Sequence, residues 1–271
     1  MFGKLMNYEL RYLLRIFAPL WGAILLLCTL TRLTFGFSGD GYTSFEGKTA
    51  VLAALLIFLT MLALFSAAII VITVVLQRFY KGVFGDEGYL LFTLPVTTGQ
   101  IINAKAISAV LMSVITGAVT IVGMLIISSH FEDWDMLSIW LGSFMYDYDI
   151  SGAYVAVMIF WAIVEVILAV AQFLYQIYFA MTIGQLWKKH PIAGAILAFY
   201  GVQMVVSGIG FGGASLLGGT PVEVLMNGLM NITGGTTKVL AVMAYLIVRS
   251  LILIIIYYFG TKLILDKKLE L

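Results

Sequence analysis

Glu165, Gln172 and Gln176 are the residues whose types and spacing come nearest to a chemical site in this chain. They recur at i, i+7 and i+11 inside a long apolar run, with Ala169 at i+4, so a helix would carry all of them on one face. Glu165 lies about 13 residues into that run, or roughly 20 Å at about 1.5 Å per residue. A carboxylate at that depth in a bilayer is costly and needs a partner or water. Arg249 lies about 11 residues into the last apolar run from the same side, at comparable depth. A Glu165–Arg249 pair is the preferred expectation; a polar lining for a substrate path and an isolated carboxylic acid are the alternatives. Arg32 sits nearer the end of its own run and can snorkel to the interface.

No catalytic constellation accompanies these residues. Gly41–Thr49 looks at first like a phosphate-binding loop, but five residues separate its glycines where the motif needs four, and no strand precedes it. His130 and His190 fall on opposite sides of the expected topology and cannot make a metal pair. Cys28 is the lone cysteine, within an apolar run, and reads as a small core residue. The chain is therefore not expected to be an enzyme or to hold a metal or cofactor of its own.

The elements that must position these residues follow from composition. Apolar residues make up 62% of the 271 and charged residues 11%, with a mean hydropathy of +1.07. Ordinary soluble domains carry about 25% charged residues. A net charge of +1 gives no nucleic-acid reading. The apolar residues come in runs long enough to cross a bilayer, which takes about 20 helical residues. Six runs are expected to span, at 16–37, 51–77, 101–128, 152–184, 192–212 and 239–265. With no water to satisfy the backbone, they should be helices, giving an all-α integral membrane protein of one domain. The first run is too long for a cleaved signal peptide and shows no small-residue cleavage site.

Charge gives the orientation. Lys4, Arg11, Arg15, Arg78, Lys81, Lys105, Lys188, Lys189, Lys262, Lys267 and Lys268 would lie on one side, against Arg32, Lys48, Lys238 and Arg249 on the other. That asymmetry predicts both termini inside. The acidic loop Glu132, Asp133, Asp135, Asp147 and Asp149 then faces out. Trp134 and Trp140 suit the outer interface and Trp187 the inner one.

Three segments outside the spans carry information. Residues 1–15 place Phe2, Leu5, Met6, Leu10, Leu13 and Leu14 at helical spacing, with Lys4, Asn7, Glu9, Arg11, Tyr12 and Arg15 between them. This predicts an amphipathic helix on the inner membrane surface, before a span in which Pro19 comes early; the alternative is a first span that simply starts early and tilts. Residues 213–238 are expected to form a glycine-broken outer segment with a short apolar helix at Pro221–Met230. Residues 78–100, RFYKGVFGDEGYLLFTLPVTTGQ, form a polar, turn-rich inner insert. Helical hairpins commonly need only about 2 to 8 residues to turn, so this length points to a docking surface for something soluble. Arg78, Lys81, Asp86 and Glu87 would give docking specificity, with Tyr89 and Phe92 as apolar anchors.

Gly85-Asp86-Glu87-Gly88-Tyr89, followed by Thr93-Leu94-Pro95-Val96-Thr97, resembles the region around the coupling helix of many type 2 ABC transporter permeases. The layout resembles that family over essentially the whole length, from an N-terminal elbow helix through six spans to a broken outer segment. The resemblance implies an exporter subunit of the bacterial plasma membrane that works by alternating access. Its coupling helix would lie between spans two and three. Its partners would be a second permease subunit, as homodimer or heterodimer, and separate cytoplasmic ATPase subunits carrying ATP and magnesium. Membrane lipid would surround it, and nucleic acid has no part. A secondary transporter or a structural or sensory membrane protein is the alternative.

Overall fold

The computed structural model describes residues 2–36, 48–85, 88, 97–128, 138–139, 142–143, 145–146, 152–187, 189–216 and 235–268. These residues are helical with short turns, and no strand occurs among them. The long helices are α1 (Phe2–Gly36), α2 (Lys48–Phe84), α3 (Thr98–Ser128), α4 (Gly152–Gly184), α5 (Pro191–Leu216) and α6 (Gly235–Lys268). Each contains a stretch long and apolar enough to cross a membrane. The described residues are thus helical apart from short turns, with the character of a multi-pass membrane protein.

Several helices outrun the bilayer. The 35 residues of α1 extend roughly 52 Å, against a hydrocarbon core of about 30 Å. Residues 1–15 and the first span are not separate helices, since α1 runs unbroken through Pro19 from Phe2. Tertiary contact accounts for this. α1 packs along α3 more extensively than on α2. Leu13 and Phe17 are buried with Met112, and Ile24 and Cys28 with Ala67. The first turns therefore have a protein surface to lie on. Thr31 and Thr60 share a hydrogen bond of 2.7 Å between α1 and α2, and Trp21 Nε1 donates to Thr116 Oγ1 at 2.9 Å.

The main core sits toward one end of the bundle. Val75, Phe79 and Val83 of α2 meet Ile102, Ala106 and Ala109 of α3 there, with Leu174 and Tyr178 of α4 and Tyr257 of α6. The Phe79 and Tyr178 rings stack at 3.9 Å and 9°. This is the end at which α2, α4 and α6 finish and α3 and α5 begin. It carries Lys81, Lys105, Lys189, Lys262 and Lys267, and is called the basic end below. Elsewhere the helices turn large apolar side chains outward, among them Phe58, Phe65, Ile121, Ile163 and Val248. Contiguous apolar surface of this kind suits lipid as the solvent.

α4 and α5 form a tight hairpin at the basic end. A Cβ on Gly184 would meet the backbone nitrogen of Ala195, and one on Gly194 would lie 3.1 Å from the Gly184 carbonyl oxygen. Only glycine permits that approach. α5 continues to Leu216 and α6 begins at Gly235, so part of the expected outer segment 213–238 is helix. Its remainder, including Pro221–Met230, lies outside the described residues, as do the acidic loop and Gly41–Gly47.

Candidate functional site

Glu9 lies on the buried stripe of α1, four residues before Leu13 and eight before Phe17. That register turns its carboxylate into the bundle, toward the last turns of α2 and the first turns of α3. Arg78 Nε donates to Glu9 Oε2 at 2.8 Å, and Arg78 Nη2 to Oε1 at 3.4 Å. Lys105 Nζ donates to Glu9 Oε1 at 2.8 Å. One carboxylate thus bridges two cations drawn from two other helices. Glu9 is 1% exposed, Lys105 3% and Arg78 9%, so the cluster is withdrawn from solvent. The Arg78 guanidinium also lies over the Tyr12 ring at 4.2 Å and the Tyr8 ring at 5.6 Å. Ser108 and Tyr178 help close a cavity of about 10 Å³ beside the cluster, room for about one water.

Such a cluster is a weak source of net stability, because desolvating charges offsets much of their attraction. Its geometric effect is specific. It fixes the register of α1 against the end of α2 and the start of α3, which are the two roots of the connection between spans two and three. Gly88 N donates to Gly85 O at 2.8 Å just beyond α2. Before α3, Thr97 N donates to Gln100 Oε1 at 3.3 Å and Gln100 N to Thr97 Oγ1 at 3.4 Å. The Thr-x-x-Gln spacing makes this reciprocal pair a capping box.

The residues expected to dock a partner divide accordingly. Arg78 is turned to Glu9 and the Tyr12 ring, inside the bundle rather than on its surface. Lys81 is exposed on the last turn of α2. Asp86, Glu87, Tyr89 and Phe92, and the coupling helix they would form, lie outside the described residues.

The intramembrane stripe is split between two neighbours. Ser250 Oγ of α6 donates to Glu165 Oε1 at 3.0 Å, and Glu165 Oε2 is buried with no hydrogen-bond partner. Gln176 turns to α5 and donates from Nε2 to Gln203 Oε1 at 3.1 Å. Gln172 lies between them, half-buried. The preferred Glu165–Arg249 pair is not the arrangement found. Ser250 occupies the face of α6 toward Glu165, and Arg249, one residue earlier and so about 100° around the helix, has an exposed side chain. Tyr175 OH donates to Asn103 Oδ1 at 2.8 Å, joining α4 to α3 at the basic end.

Glu9 and Lys105 were not among the residues singled out from sequence. The signal was present in the spacing, since Glu9 continues the stripe of Leu13 and Phe17 that the first span needs for packing. Lys105 likewise interrupts an apolar run at the same end as Arg78. No group of three or more His, Cys, Asp or Glu residues is placed to hold a metal ion among the described residues. No protein-family model, no curated protein and no solved structure matches this chain.

Proposed function

We propose that this chain is the membrane-spanning permease subunit of an ATP-driven ABC exporter in a bacterial plasma membrane. Separate cytoplasmic ATPase subunits would carry ATP and magnesium, and a second permease subunit would complete the transporter. The Glu9–Arg78–Lys105 cluster is the observation that carries the reading. It ties both roots of the 85–97 connection to α1, so a force applied to that connection reaches three helices together. The first turns of α1 leave Tyr8 and Tyr12 partly outside, which suits the interfacial role of an elbow helix.

In this mechanism the ATPase pair closes on ATP and reopens after hydrolysis. The 85–97 connection and the helix ends that flank it, from 78 to 100, would form the coupling region, with Lys81, Asp86, Glu87, Tyr89 and Phe92 at its docking face. Arg78 transmits the movement inward. Alternation between inward-open and outward-facing packings needs two arrangements of similar energy, and Glu165, with Oε2 left without a partner, is the polar group that a substrate path along α4 would meet.

Charge reversal of Asp86 and Glu87 to lysine tests the docking assignment. The variant should remain inserted and monodisperse by size exclusion. It should lose copurification of a P-loop ATPase from the native host and lose substrate-stimulated ATP hydrolysis. Normal complex formation with normal coupled hydrolysis would remove these residues from the docking face. A wild-type chain that captures no ATPase would remove the transporter reading.

A further inference from the structure

A cleft of about 500 Å³ opens on the flank of the bundle between α2, α4 and α5. α4 packs on both α2 and α5, whereas α2 and α5 have little contact with each other, so α4 forms the floor. Ile72 and Leu76 line one side, Phe173 and Ile177 the floor, and Ile196 and Tyr200 the other side. The lining is apolar apart from the Tyr200 hydroxyl, and its volume is that of a ligand site, commonly about 300–1,000 Å³.

Position and charge identify the occupant. The lining positions lie within roughly 20 Å of the basic ends of their helices at about 1.5 Å per residue, the depth of one leaflet with its interface. Lys189 and Trp187 are exposed at that end, immediately before α5. Trp187 also packs at Gly194, which holds it at the rim of the α4–α5 hairpin. A basic and an aromatic side chain above an apolar trough match a headgroup above an acyl chain. A second copy of this chain is the competing occupant, and the oligomeric state of the tryptophan variants separates the two.

We infer that this cleft binds one anionic phospholipid from the leaflet at the basic end, with an acyl chain between α2 and α5 and the phosphate at Lys189. The cleft is preformed, because the glycine contact of α4 with α5 fixes one side and the Phe79–Tyr178 stack holds α2 on α4 at the other. The inference does not depend on the transport reading, and its test needs no ATPase.

The purified full chain in detergent would be titrated with phosphatidylglycerol and, separately, phosphatidylcholine, and bound lipid counted by native mass spectrometry. Wild type should retain a phosphatidylglycerol adduct in preference to phosphatidylcholine. Lys189→Glu should weaken it by at least about fivefold, the weight of one lysine against an anionic surface. Ile196→Trp, at an exposed position, should fill the trough and remove the adduct while the protein stays monodisperse; Ile192→Trp serves if that variant does not fold. Ile209→Trp, farther along α5, should bind as wild type. Equal retention of the two lipids would overturn the inference. So would an adduct indifferent to both tryptophans at the cleft, or a tryptophan that changes oligomeric state and leaves lipid binding intact.

Discussion

Two carboxylates of this protein are withdrawn from water, and they are treated differently. Glu9, near the basic end, accepts from both Arg78 and Lys105 and uses both of its oxygens. Glu165, deep in α4, accepts one hydrogen bond from Ser250 and leaves Oε2 buried without a partner. A buried charge is retained when paired and hydrogen-bonded, and otherwise carries a large desolvation cost. The first site is saturated and sets a register between three helices. The second has spare hydrogen-bonding capacity, the property expected of a group that meets a changing environment.

The largest effect should come from breaking the saturated site. Glu9→Gln leaves two buried cations without their shared carboxylate, and should destabilise the protein by about 3–5 kcal/mol. Thermal unfolding in detergent measures it, and a loss below about 1 kcal/mol would reduce the cluster to the level of a surface pair. Arg78→Lys keeps the charge but loses the forked contact and the planar group over Tyr12. It should cost about 1–2 kcal/mol, and a neutral outcome would show that charge alone suffices there. The smallest effect is at the other carboxylate. Glu165→Gln and Arg249→Gln should be additive within about 0.5 kcal/mol, since the two side chains do not pair. A coupling clearly above that would restore the ion pair. Ser250→Ala, by contrast, should couple to Glu165→Gln through the hydrogen bond it removes.

The spans were legible because each needs only length and hydropathy, and the six apolar runs fall on the six helices. Glu165, Gln172 and Gln176 were legible as one stripe, but α4 is gripped by α6 near Glu165 and by α5 near Gln176, so a single helical face meets two partners. Periodicity along one helix gives no information about where its neighbours change. Glu9 was hidden for a related reason. On α1 it falls among Leu5, Leu13 and Phe17, nearly opposite Lys4, Arg11 and Arg15, but that register does not say which cations it meets. Only the packing of α1 along α3 converts it from a solvated charge into the centre of a buried cluster. Pro19 illustrates the same override, since the local penalty of an internal proline is met by contacts made elsewhere along the helix.

The thiol of Cys28 is fully buried between α1 and its neighbours, and a Cβ on Gly123 would come within 2.8 Å of its Sγ. Water-soluble maleimides have no route to a sulfur in that setting. The native chain is therefore already silent toward such reagents and provides its own blank for accessibility mapping. A reporter cysteine introduced at Lys81 or Lys189 would be read against zero background, with the α1–α3 contact left undisturbed.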